Sequence, residues 1–262
     1  QGQILGSDGE RMSKSRGNVQ DPDDLVAQFG ADSVRLYVMF LGPWDQGGLW
    51  NPSGIGGVHR FLNRVWTVTL DADGREAGNP DAGTLPEGQS ESDARTALRS
   101  AAHRTLRDVT ADHQVFHFNT MIARLMELSN LLMHYRGTTV AATPEWGEAT
   151  RLLLLMLAPV APHIAEELWS RRLAAAGEPW ASVHTQSWPI VDETAVVEAT
   201  REVPVQVNGK LRDRVTVPTG ISELELEQIV LARDKVRAAL GGSQPAKIIH
   251  AGGGRLVNIV VR

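Results

Sequence analysis

The sequence predicts a mainly α-helical protein that carries a small α+β module at its C-terminal end. Between positions 58 and 175 apolar residues recur every three or four places, the period of one helix face. Past Trp188-Pro189 the period falls to two: Val203, Val205 and Val207 alternate, Asn208-Gly209 is the strongest short hairpin signal, and 211–217 reads as the return strand. With 262 residues, 42% of them hydrophobic and 22% charged, the chain is long enough to bury a core in each of two or three globular domains.

In order, the chain opens on a strand at Ile4-Leu5 and enters a polar loop, Arg11-Met12-Ser13-Lys14-Ser15-Arg16-Gly17-Asn18. Of the 26 basic residues 22 are arginine, and Lys14 is the only lysine before Lys210. A compact ammonium on a flexible stem follows moving phosphate charge better than a rigid guanidinium fork does. Asp21 then reads as an N-cap, with Pro22 at the first helical position and Asp23 and Asp24 facing the positive end of the helix dipole. Gly30 ends that helix, and Asp32 is expected to cap the next one, 33–41, which stops at Gly42-Pro43. The Gly- and Pro-rich stretch 44–57 reads as a linker or surface turn.

A helix carrying Val58, Phe61, Leu62, Val65, Trp66 and Thr69 on one stripe follows, then an exposed loop at 71–89. Further helices are expected at 92–113, at 119–135 with Asn119 as cap, at 145–158, and, past Pro159 and Pro162, at 163–175 with Glu166 and Glu167 in its first turns. Amphipathic helices with short joins make an antiparallel bundle. In the terminal module 222–240 reads as one helix with Leu226, Ile229, Val230, Val236 and Leu240 on one side, and 247–250 with 256–261 as a hairpin around Gly252-Gly253-Gly254. The module is thus ββαββ, and the expected domains are 1–47, 48–192 and 193–262.

Composition narrows the function classes. Cysteine is absent, which excludes disulfides, thiolate metal sites and a cysteine nucleophile. No run approaches the ~20 apolar residues of a membrane span, so no membrane role and a cytoplasmic location are expected. The chain starts without methionine or leader, inside what reads as a strand, as a C-terminal portion of a longer protein would. The net charge of −5 is uneven: residues 201–262 carry 10 basic and 6 acidic side chains, so a basic terminal module hangs on an acidic body, a pattern compatible with nucleic-acid binding. His113 and His117 have the spacing of helical metal ligands but lack a zincin glutamate and a third ligand, so no metal site is expected. The seven tryptophans share no helical stripe and read mostly as core or interface anchors.

Arg11-Met12-Ser13-Lys14-Ser15 resembles the K-M-S-K-S signature of class I aminoacyl-tRNA synthetases, with Arg11 in place of the first lysine. Arg16-Gly17-Asn18-Val19, Asp21-Pro22, Gly30-Ala31-Asp32 and Arg35-Leu36-Tyr37 are similar to the segment that follows it in the leucine, isoleucine and valine enzymes. Met39 to Trp44, Arg60-Phe61-Leu62, Arg64-Val65-Trp66, Ala123 to Leu128, Leu157 to His163, Val205 to Arg212 and Leu256 to Val261 resemble leucyl-tRNA synthetases in particular.

The resemblance implies the end of a Rossmann-type class I catalytic domain, a helical bundle of the anticodon-binding type and a C-terminal tRNA-binding domain. It further implies ATP-dependent adenylation of leucine and transfer to tRNA(Leu) by a monomer. Lys14 would be catalytic, and Arg11, Met12, Ser13, Lys14 and Ser15 would hold the ATP phosphates, with Mg2+ accompanying the nucleotide. Lys210, Arg212 and Arg214 are the candidate tRNA contacts. The H-I-G-H-type signature and the amino-acid pocket of the family are not in these residues, so the chain alone is expected to be inactive. An isoleucine- or valine-specific enzyme and a non-catalytic tRNA-binding module are the alternatives.

Overall fold

The computed structural model describes residues 2–70, 85, 90–196, 200–218, 223–241, 245–251 and 256–261. The loop expected at 71–89, apart from Leu85, and the glycine turn at 252–254 lie outside the described residues. The protein is mostly helical with a small sheet, and it divides into two compact units, Gln1–Val196 and Val197–Arg262.

In the first unit a short parallel pair, β1 (Gln3–Leu5) and β2 (Gly47–Leu49), brackets the helices α1 (Pro22–Phe29) and α2 (Ala31–Phe40). Stretch 44–57 is therefore not a linker. Gly47 takes φ 75° and lies so close to β1 that a Cβ would sit 2.1 Å from the Gln3 carbonyl oxygen, which only glycine permits. Trp50 is buried edge-on against Tyr37 at 4.9 Å, and the Tyr37 hydroxyl donates to the Asn51 carbonyl at 2.6 Å while accepting from the Asn51 N–H at 2.9 Å.

Helix α3 (Gly54–Thr69) buries Val58, Phe61, Leu62, Val65 and Thr69 as its stripe requires. Trp66 departs from that stripe: it is 36% exposed and lies under the Arg171 guanidinium, 5.0 Å from its ring centroid. Helix α4 (Glu91–Gln114) starts at Ser90, whose hydroxyl accepts from the Asp93 N–H at 3.0 Å. Helix α5 (Phe118–Tyr135) begins at His117, so Asn119 lies inside it and caps nothing. In α6 (Pro144–Leu157) every residue from Leu152 to Leu157 is buried, which makes it the central helix of the group. Helix α7 (Pro162–Ala175) turns back after the proline corner. One continuous core joins Leu36 and Tyr37 of α2 to all of these helices. Two-point ion pairs flank it: Arg95 reaches Glu145 at 2.9 Å through both Nε and Nη2, and Arg124 bridges Asp108 and Asp112 at 2.9 and 2.8 Å.

The second unit has β3 (Thr200–Val207), β4 (Lys210–Pro218), α8 (Glu223–Ala232), α9 (Asp234–Leu240), β5 (Lys247–Ala251) and β6 (Leu256–Val260). The sheet order is β4-β3-β6-β5, with β3 and β6 parallel and the outer pairs antiparallel. The helix expected at 222–240 is two helices. Arg233 takes extended backbone (φ −71°, ψ 131°) and sends its guanidinium to the buried Asp213 of β4 at 2.9 Å. That ion pair and the Arg214 N–H hold the Asp213 carboxyl below the usual carboxylate range. The valines of β3 and β4, Val257 and Ile259 of β6, and Leu226, Val230 and Val236 of the helices form this unit's own core.

Candidate functional site

The lysine loop grows out of β1. Leu5 bridges to Arg11, and the Gly6 N–H donates to the Glu10 carbonyl at 2.7 Å, which closes a tight turn. Asp8 braces it: its carboxylate accepts from the Glu10 N–H at 3.0 Å, and that bond, aided by Asn18, holds its pKa below the ordinary value. Asn18 ties the two limbs together. Its Oδ1 accepts from the Ser13 N–H at 2.9 Å, and its Nδ2 donates to Asp8 at 3.2 Å and to the Arg11 carbonyl at 3.4 Å.

Between these braces Lys14–Arg16 make one 3-10 turn, with the Arg16 N–H on the Ser13 carbonyl at 3.1 Å and the Gly17 N–H on the Lys14 carbonyl at 3.2 Å. Gly17 closes the turn in the left-handed region, φ 67°, where a side chain would be strained. The Ser13 and Ser15 hydroxyls stand 3.2 Å apart, and Arg16 is held aside by an ion pair to Glu10. The Lys14 side chain is exposed and has no hydrogen bond or ion pair among the described residues; the same holds for the Arg11 side chain. Met12 packs its side chain against the core of the first unit, so what it can offer a polyanion is its backbone. The turn thus presents an ammonium, a guanidinium and two hydroxyls on a braced frame, a donor set that suits phosphate oxygens.

Lys210, Arg212 and Arg214 lie on β4 of the second unit, all exposed. The pairing slips between Val205 and Gln206: Asp213 faces Val205 and Leu211 faces Gln206, which leaves Arg212 as the unpaired residue of a bulge. Arg214 is ion-paired to Glu202 at 2.9 Å, whereas Lys210 and Arg212 have no such partner among the described residues. His113 and His117 do not converge on one another: the His113 ring lies against Phe118 and Trp188 at 6.1 and 6.0 Å, and His117 is 3.9 Å from Asp112. Nor do His, Asp and Glu side chains gather in threes around a metal-sized space among the described residues. Of the tryptophans, Trp50, Trp146 and Trp169 are buried, while Trp44, Trp66, Trp180 and Trp188 are exposed by 36% or more.

Sequence reasoning missed the braces. Asp8 gives no motif signal, and Asn18 gives one only through the family resemblance, because their bracing roles depend on a turn that brings positions ten apart together. Asp32 was expected to cap its own helix. Instead Gly30 stands at that position, and the Asp32 carboxylate accepts from the N–H groups of Ile164 at 2.7 Å and His163 at 3.4 Å, at the start of α7.

A family model described as the anticodon-binding domain of tRNA ligase matches residues 96–229, and one for tRNA synthetases class I (I, L, M and V) matches residues 1–46. Leucine--tRNA ligase of Herpetosiphon aurantiacus is 47% identical over the whole chain, and that of Deinococcus radiodurans 43%; in both the chain spans 30% of the relative's length. The solved agnB2 LeuRS of Agrobacterium radiobacter K84, in a ternary complex with tRNA and LeuAMS, superposes with a TM-score of 0.66 at 33% identity, covering all of this chain and 33% of that one.

Proposed function

The chain belongs to the tRNA ligase family that carries this anticodon-binding domain, and we propose that it is the C-terminal part of a leucine--tRNA ligase, which adenylates leucine with ATP and transfers it to tRNA(Leu). Residues 1–47 are then the end of the class I catalytic domain, 48–192 the bundle, and 193–262 a small tRNA-binding domain. A parallel strand pair as short as β1–β2 is not stable by itself, which fits an origin at the margin of a larger parallel sheet. A non-catalytic RNA-binding module would have no use for a braced, unpaired lysine between two serines, and that loop is the observation that carries the catalytic reading.

In adenylation the leucine carboxylate attacks the α-phosphate and pyrophosphate leaves, so negative charge builds on the bridging and terminal phosphate oxygens. Lys14 Nζ donates to those oxygens where the charge appears, and the Ser13 and Ser15 hydroxyls and the Arg11 guanidinium hold the phosphate chain. Because the loop is braced by Asn18 and Asp8, little ordering is left for the moment of reaction. Magnesium would screen the phosphates as the nucleotide's counterion; among the described residues no group of three side chains that could hold a metal stands at this loop. No helix among the described residues is long and apolar enough to cross a membrane, and the reading carries a monomeric cytoplasmic enzyme.

In the full-length ligase, Lys14→Ala is expected to lower leucine-dependent ATP–pyrophosphate exchange by about 100-fold or more, the usual scale for losing one donor to a developing oxyanion. Exchange at the wild-type rate would remove the catalytic assignment. For the second unit, Lys210 and Arg212 are the phosphate contacts favoured by their free charge, with Arg214 engaged only if it leaves Glu202.

A further inference from the structure

Helix α7 has no cap of its own. Its N-cap residue is Ala161, and the first N–H groups of a helix left without partners are costly to bury. The cap comes from α2, 131 positions earlier in the chain: Asp32 is 7% exposed, and its carboxylate takes the Ile164 and His163 N–H groups and the His163 Nδ1 at 2.9 Å. One helical turn further along α2, the Arg35 guanidinium lies 3.4 Å from the carbonyl oxygens of Pro159 and Val160, just past the end of α6. Those distances are long for hydrogen bonds, but they set a cation at the negative end of one helix while Asp32 sets an anion at the positive end of the next. A single face of α2 thus grips the α6–α7 corner by both dipole ends.

The N-terminal end of α2 leads back to the lysine loop through Gly30, α1 and the exposed Val19 and Gln20, and Met12 of the loop packs against the same core as α2. Asp21 caps α1 through the Asp23 N–H at 3.0 Å. Gly30 closes α1 with its N–H on Val26 and opens α2 with its carbonyl accepting from Val34. Leu36 and Tyr37 are buried in the shared core.

We propose that Asp32 and Arg35 are positioning residues for the Lys14 loop: their grip on the α6–α7 corner sets where the loop stands relative to the helical bundle, and so relative to RNA held by that bundle. This rests on the catalytic reading of the loop given above. Neither residue reaches the reacting groups; each acts through Lys14.

The test is a double-mutant cycle in the full-length ligase, read by leucine-dependent ATP–pyrophosphate exchange, with circular-dichroism melting of every variant. Asp32→Asn keeps the shape and removes the charge and one acceptor. It should lower kcat of exchange about fivefold, the scale of one lost helix cap, with the KM for leucine unchanged. In a Lys14→Ala background the same substitution should cost clearly less than in the wild type, because the main group it positions is gone. Arg35→Gln, at an exposed position that the fold tolerates, should behave in the same way and serves if Asp32→Asn does not fold. An Asp32→Asn or Arg35→Gln loss that multiplies with that of Lys14→Ala, or wild-type kcat in folded Asp32→Asn and Arg35→Gln, overturns the positioning role and leaves the catalytic reading standing. Wild-type exchange in Lys14→Ala itself overturns both.

Discussion

Arg212 and Arg214 are two places apart on one strand, yet their situations differ. Arg212 sits in a bulge with no ion-pair partner among the described residues, while Arg214 is already ion-paired to Glu202. A phosphate approaching Arg214 has to displace a carboxylate first, whereas at Lys210 and Arg212 it displaces only water and counterions. In tRNA-binding titrations over a salt series, Lys210→Ala and Arg212→Ala are each expected to reduce the slope of log K against log salt by about 1. Arg214→Ala should change it by less than half as much. Equal slopes for all three would show that the Glu202 pair does not persist in the complex. The same residue-level view explains the reach of the sequence at the lysine loop. Lys14 could be picked out because an arginine-rich chain had kept one ammonium there, but that Arg16 occupies the Glu10 carboxylate of the same loop is a contact six positions apart that no local pattern announces.

At the scale of elements, α3 was legible because it buries a stripe at helical spacing, α6 because its leucine run is apolar all round, and α1, which buries no residue, from its Asp21 cap and Pro22. Of the two short strands, β1 was legible at Ile4-Leu5 but β2 was not, since Gly47–Leu49 carry no period and their pairing with β1 spans more than forty positions. The break at Arg233 was not legible, because it rests on the extended backbone there and on the ion pair to Asp213, twenty positions earlier. The segment after α7 is another case of tertiary control. It has little secondary structure, and it is fixed to α4 and α6 by polar contacts: Arg99 bridges Glu148 at 2.8 Å and Asp192 at 2.7 Å, and His103 Nδ1 accepts from the Asp192 N–H at 3.1 Å. Bonds from the Thr194 hydroxyl and from Arg99 hold the Asp192 carboxyl well below its ordinary pKa of 3.8. A depressed folded pKa contributes stability above the unfolded value and loses it as pH falls toward the folded one. Asp192→Asn should therefore lower the melting temperature at pH 7, and the gap to wild type should narrow once pH drops below about 4. A gap that stays constant from pH 7 to pH 3 would mean that the charge of Asp192 contributes nothing to the anchor.

Across the whole molecule the two units keep separate cores, one of bundle leucines and aromatics and one of sheet valines. A chain ended after Val196 should therefore retain the helical circular-dichroism signal and a single cooperative melt close to that of the intact chain. Loss of the helical signal would show that the first unit depends on the second. The second unit has a further property that follows from its strand order. Its central pair joins β3, the first strand made, to β6, the last, with Val205 opposite Val257 some fifty residues later. During synthesis, the hairpin bearing Lys210 and Arg212 is thus an unfinished edge until the final strand has emerged from the ribosome and slid in beside it. Long-range parallel pairing of this kind is slow to form. The sheet of the second unit is consequently completed only with β6, after the first unit has already had the chance to fold.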